Sequence, residues 1–375
     1  MTEKEYELDN AYYSSNDSDD FLSFLDEREK SAQWIEAPVK DLIIVSDPTL
    51  MVSNVLSEDA KNESVYTVAI PNEVYALRDI AIPSLLERAR ISGYALTELS
   101  HENFSDIVTK CLNTSKDTEN TMLRLQDGKV GAFCASTYKV LPQCDVFTTA
   151  GNEISDQFDG SFVGGSYSHK LSLAEYTAYG PTSGYMNLFR SKGLNLSDVD
   201  MTLKIVTSDT GYSGLNIYPS ITGITSEGKR LRIPILGEIA MPHKGSASIK
   251  KFTENIALSF AQAEKSQERI TELDDIPLNY PFNTFCNVLK KVGVGKKLAS
   301  KVLDCFAVTV GNKGNATAAD LYFRACEIAF DVDEGNSIAL MSLEENLSKM
   351  LKLSDKAWSE FDRPVNCWSF SIEEE

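Results

Sequence analysis

An α+β fold is predicted by three features of the 375-residue sequence. Asp127-Gly128 stands between alternating apolar residues, and such a pair marks a hairpin because both central residues of a type I′ turn need positive φ. Roughly residues 155–245 are rich in Gly, Ser and Tyr and carry short alternating runs, "MTLKIVTSD", "SGLNIYPSI" and "RLRIPILGEIAM", which read as antiparallel sheet. After them the period changes: Ile249, Phe252, Ile256, Phe260, Ala263 and Ile270 lie on one stripe of a long amphipathic helix.

Taken in order, the chain divides into three parts. Residues 1–35 read as a disordered acidic N-terminal tail: the first thirty carry ten carboxylates against three bases, a net of −7, and "NAYYSSNDSDD" has no apolar period. Within it "FLSFL" at 21–25 reads as a short sticky helix, a docking element for a protein partner. Residues 36–275 form the α+β core. "KDLIIVSDPTL" and "SVYTVAI" are strands, and "AIPSLLERARI" starts a helix after Pro83. Leu96, Leu99, Phe104, Ile107, Val108 and Leu112 then mark a helical stripe. The hairpin over "MLRLQDGKVGAFC", the β-rich middle and the long helix follow. Residues 276–375 are the helical C-terminal region, with Thr317/Asp320 and Ser342/Glu345 as capping boxes, a hydroxyl and a carboxylate three apart.

Composition narrows the setting. The N-terminus is acidic and lacks the apolar core of a signal peptide, and no stretch has the apolar length of a membrane span. Seven scattered cysteines, most among apolar neighbours, suit reduced thiols, so a soluble, cytoplasmic protein is expected.

Three stretches invite catalytic readings and each lacks a part. "GITSEGKR" matches the outline of a phosphate loop, but Arg230 stands where a magnesium-binding Ser or Thr belongs, and the residues after it alternate like a strand. A hairpin turn is expected there. "SDTG" at 208–211 holds the Asp-Thr-Gly of aspartic proteases in a single copy; a turn capped by Asp209, with Gly211 at positive φ, accounts for it. His101, His169 and His243 have no ligand spacing to one another, and no CxxC occurs. His101 is expected on a helix surface and His243 in a loop before the long helix. The expectation is a protein that is not an enzyme and takes no cofactor and no metal.

The most distinctive stretch is "NVLKKVGVGKKLASKVLDCF", residues 287–306. Its spacing fits a helix-hairpin-helix in which Val294 plugs the seam, Gly293 and Gly295 let a phosphate approach, and the second helix begins with free amides. Lys290, Lys291, Lys296, Lys297 and Lys301 supply five positive charges on a chain of net −19. Such a local reversal of sign can steer a polyanion. An ordinary helix joint with solvated lysines explains the same residues. Lys244, Lys250 and Lys251 form a second basic patch, and Tyr138, Tyr212 and Tyr218 are candidate stacking partners for bases.

Several stretches together resemble a family borne by phages and plasmids, known as domain of unknown function 932. They are "LTELSHENFSDIVTKCL", "MLRLQDGKVGAFCASTYKVLP", "VTSDTGYSGLNIYPSI", "GNATAADLYFRACEIA" and "SLEENLSKMLKL". The chain departs from that family at Gly131, at Thr137 before Tyr138, and at "TSEGKR", where the family has arginines and a Cys-Asn-Gly turn. The resemblance implies a mobile-element setting and supplies no catalytic residues. The expected function is non-enzymatic nucleic-acid binding, with DNA as partner, in single-strand or junction handling during replication or recombination. The alternative is an acidic protein-interaction factor, counter-defence or virion-associated, with no nucleic-acid role.

Overall fold

The computed structural model describes residues 12–46, 66–71, 73–114, 120–178, 182–228, 230–296, 299–300, 303, 306, 316–332 and 337–364. The fold is α+β, as the sequence predicts, and among the described residues it is built around two large sheets, with a two-stranded pair besides. β1 (Tyr12–Ser15) and α1 (Ser18–Lys30) open the described chain. β2 (Ala32–Pro38), β3 (Ile43–Ser46), β4 (Tyr66–Ile70), β5 (Glu73–Leu77), β6 (Asn120–Gln126) and β7 (Lys129–Ala135) form the first sheet, in the order β2-β6-β7-β5-β4-β3. α2 (Ile82–Ala89) and α3 (His101–Thr114) cover one face, burying Leu85, Phe104, Val108 and Leu112 against Val68, Leu77, Leu123 and Val130. Ile107, expected in that stripe, stays at the surface, because α3 begins only at His101 and its buried positions are Phe104, Val108 and Leu112.

α4 (Gln143–Phe158), β8 (Ser161–Ser168), β9 (Ser172–Ala178), α5 (Thr182–Ser191), β10 (Ser197–Thr207), β11 (Leu215–Ile224), β12 (Arg230–Pro234) and β13 (Ile239–Met241) follow. With β1 their strands make the second sheet, antiparallel in the order β1-β8-β9-β10-β11-β12, β13 also pairing with β11. Met201, Leu203 and Ile205 of β10 face the larger core, alongside Ala174, Tyr176, Ile217, Ile221 and Ile233. The opposite face carries buried polar groups beside a small apolar cluster of Leu171 and Val206. Lys204 sits between Glu175 and Tyr218 in register, and Arg232 stands on β12.

The long helix α6 (Ile249–Asp274) buries Phe252, Ile256, Phe260, Ala263 and Ile270, the stripe read from the sequence. β14 (Pro277–Leu278), α7 (Pro281–Val292), β15 (Ala316–Thr317), α8 (Ala318–Val332), α9 (Ser337–Leu351) and α10 (Asp355–Phe361) complete the described chain. These helices do not form a separate unit at 276. Phe285, Leu289, Tyr322, Leu347 and Trp358 belong to the core of the second sheet, and Glu344 of α9 binds Lys204 and Arg232 on its polar face. The boundary at 275/276 therefore runs through one continuous core.

The tail expected over 1–35 is corrected for the part described. β1 pairs with β8, α1 places Phe21, Phe24 and Leu25 in the larger core, and β2 pairs with β6. Charge hides an amphipathic helix there: the three apolar residues sit at i, i+3 and i+4, and the acids take the other side. Gly165 accommodates it, since a Cβ on that glycine would come within 2.6 Å of the Phe21 ring. Residues 1–11 lie outside the described residues.

Local signals fare unequally. Asp127 and Gly128 take φ of 54° and 73° and join β6 to β7. Thr317 and Asp320 form the reciprocal cap, Thr317 N donating to Asp320 at 2.8 Å and Asp320 N to Thr317 Oγ1 at 3.3 Å. Ser342 and Glu345 form no helix start, because α9 already begins at Ser337. "GITSEGKR" is the β11–β12 turn, with Gly228 at φ 79°; Lys229 lies outside the described residues.

Candidate nucleic-acid interface and inter-sheet cleft

α7 begins at Pro281, whose fixed φ and missing N–H suit a first helical turn. Its apolar residues Phe285, Val288, Leu289 and Val292 recur at helical spacing and are buried. Gly293 ends it in the left-handed conformation, φ 89°, and Val294 N donates back to Leu289 O at 3.0 Å. Val294 is then buried, 7% exposed, in the same core as Ala299, Leu303 and Phe306. Helical residues resume at Lys296, and Ala299 N donates to Gly295 O at 2.9 Å, which makes Gly295 the N-cap of the second segment. The rings of Phe285 and Phe306 close the two segments together, 4.8 Å apart.

The two glycines differ in use. Gly293 faces Asn346 of α9, whose Nδ2 donates to Gly293 O at 3.1 Å. Around Gly295, its chain neighbours aside, no atom of the described residues comes within 4 Å of where a Cβ would sit. Lys290, Lys291 and Lys296 are exposed and make no ion pair among the described residues. Lys297 and Lys301 lie outside the described residues.

The second basic patch is not one surface of equivalent lysines. Lys250 and Lys251 stand on the first turn of α6, capped by Ser248, and Lys251 is paired with Glu254 at 3.3 Å. Lys244 is placed elsewhere, in a backbone bridge with Tyr138. It borders a cleft of about 290 Å³ between the two sheets.

The second face of the first sheet is polar at its inner end. Arg124 and Gln126 point from β6 away from the apolar core, and the Ser208–Gly211 turn lies against them. Asp209 does not cap the turn, as the sequence reading has it; Ser208 Oγ does, accepting from Thr210 N at 3.2 Å and Tyr212 N at 3.3 Å. Gly211 takes the expected positive φ, 74°. Asp209 is turned inward onto Arg124, both side chains less than 10% exposed. Burial opposes the charge of Arg124, but Asp209, Tyr167, Glu29 and Tyr138 around it together outweigh that cost and the guanidinium pKa rises. Glu29 of α1 borders the same spot across a small cavity of about 90 Å³, and burial raises its pKa even though it accepts from Gln143 N.

Tyr138 separates that small cavity from the larger cleft, its ring stacked on His243 at 5.1 Å and Trp34 at 5.3 Å. His243 lies in the loop before α6 as expected, but it is buried. Its Nδ1 faces Lys139 O at 3.1 Å and must donate, since a carbonyl only accepts; Nε2 then accepts from Thr207 Oγ1 at 3.2 Å. Burial lowers its pKa, so the ring is held neutral. Burial also pushes the Cys134 thiol, on the cleft wall, up to about 12. His101 sits exposed at the start of α3, and His169 is buried beside Arg78 at 3.2 Å.

Of the candidate stacking tyrosines, Tyr138 and Tyr218 are half-buried and Tyr212 is 55% exposed. Sequence reasoning missed Glu29, Arg88 and Arg124. Their partners are remote in the chain or are spaces between elements, so no local pattern marks them. Among the described residues no group of acids, histidines and cysteines could hold a metal ion, and no helix is long and apolar enough to cross a membrane. Compared with known proteins, the chain matches no family model, no curated protein and no solved structure.

Proposed function

We propose that the protein binds DNA without catalysis, gripping the phosphate backbone at the joint after α7. The observation that carries this reading is the asymmetry of the two glycines. Val294 locks the joint and Gly293 is occupied by Asn346, whereas Gly295, at a helix start, is open and stands beside three lysines that make no ion pair among the described residues. A helix start presents free amides to an anion, and lysines add charge without sequence preference. Binding of this kind suits single strands or junctions in a phage or plasmid setting, the setting that the family resemblance implies.

Gly295→Asn separates this function from the fold. Asn is a good N-cap, so the helix start stays intact, but its side chain accepts from the amides a phosphate would use. The variant is expected to melt within a few degrees of the parent and to bind an oligonucleotide several-fold more weakly. Unchanged affinity would sink the proposal. A second reading, an acidic factor that binds another protein, is favoured by a separate observation. Ile43, Val45 and Val74 are 48%, 45% and 64% exposed on one face of the first sheet, Ile43 and Val74 both in register with Ala69. Pull-down that depends on Val74 and not on Lys296 would support it.

A further inference from the structure

The cleft between the sheets has its own chemistry, independent of the joint. Four stretches line it: α2 with Ser84 and Arg88, the end of β7 and the turn to Tyr138, the Thr210–Gly214 loop, and the loop carrying His243 and Lys244. Its volume, about 290 Å³, lies at the small end of ligand sites, about 300 Å³ upward. The deeper walls are neutral: the Cys134 thiol stays protonated, and His243 has both nitrogens committed to Lys139 O and Thr207.

The charges lie on Arg88, Lys244 and Glu87. Glu87 is 74% exposed and leans on Arg88 Nη2 at 3.1 Å. Lys244 is exposed and pairs with no carboxylate among the described residues. The cleft thus carries a surplus of positive charge, two cations against one carboxylate, which suits a phosphate. Tyr212 stands in the same loop, between the lining residues Gly211 and Ser213, and is 55% exposed, so an aromatic ring that a base could stack on lies next to the lining.

We propose that this cleft binds one nucleoside monophosphate unit, with its phosphate at Arg88 and Lys244 and its base on Tyr212. The unit is either a free mononucleotide or the phosphorylated end of a strand; only the second source rests on the DNA-binding reading.

Titration calorimetry on the full chain tests it, with adenosine monophosphate, adenosine and inorganic phosphate as probes. The monophosphate should bind more tightly than either part. Arg88→Gln and Lys244→Gln should each weaken it by about tenfold, the size of a lost charged contact. Tyr212→Ala should weaken the monophosphate and leave inorganic phosphate unchanged. All three positions border solvent, and matching melting curves would show that the variants fold. A 5′-phosphorylated dinucleotide that binds more tightly than the monophosphate assigns the site to strand ends, and one that binds more weakly assigns it to free nucleotides; both sustain the cleft. Lys296→Gln should leave monophosphate affinity intact, and its loss in that variant would move the binding to the joint and overturn the inference. No saturable binding of the monophosphate below about 1 mM would overturn it outright.

Discussion

Arg124 and Asp209 show what a buried ion pair costs and contributes. Removing one partner strands the other charge where water cannot reach it, so Asp209→Ala should lower stability by about 3–5 kcal/mol. Replacing both, Arg124→Met with Asp209→Leu, should recover most of that loss, and urea unfolding of the three variants measures it. Asp209 was legible in the sequence only as part of a turn; its partner, 85 positions earlier on β6, was not. Glu29 offers a second test through pH. Burial holds its carboxyl above the unfolded value of 4.5, so the folded state binds the proton more tightly. Stability therefore falls as pH rises from 4.5 through the raised value, by the linkage between proton uptake and folding. Glu29→Gln should flatten that decline; an identical pH profile in the variant would show that Glu29 is not the group responsible.

At the level of elements, legibility followed the range of the signal. The Asp127-Gly128 turn, the α6 stripe and the Thr317/Asp320 cap depend on neighbours in sequence and were readable. Ser342/Glu345 has the same spacing as a cap and failed, because the start of α9 at Ser337 pre-empts it. α1 was missed for a different reason. Its net charge suggested a solvated tail, whereas three apolar side chains suffice to anchor thirteen residues once β8 and α4 provide a surface. Deleting residues 1–30 should therefore destabilise the whole protein, each of Phe21, Phe24 and Leu25 withdrawing about 1.5–3 kcal/mol of burial. A melting temperature left unchanged by the deletion would contradict the placement of α1. The edge strand β3 shows another long-range device: Thr109 of α3 accepts from Ile44 N at 2.8 Å and donates to Ile44 O at 3.2 Å. A strand edge closed in this way cannot extend the sheet at that residue.

For the whole molecule the proposed DNA binding raises one question, how a chain of net −19 would hold a polyanion. Net charge sets the far field, but binding is decided within a Debye length, about 8 Å at physiological salt. Within that distance the local charge at the joint counts: Lys290, Lys291 and Lys296 are exposed and unpaired among the described residues, beside Gly295 at the start of the following segment. The sequence supplied the lysines, the glycines and the plug at Val294. It could not show that Asn346 occupies one glycine, because that contact spans 53 positions. The most direct measurement is the affinity for a fluorescent single-stranded oligonucleotide across a salt series. If about four phosphates are neutralised, log affinity should fall against log salt with a slope near −3. The combined Lys290→Gln, Lys291→Gln and Lys296→Gln variant should bind more weakly and lose about 2 units of that slope. No binding at low salt, or a slope that the triple change leaves untouched, would contradict the account.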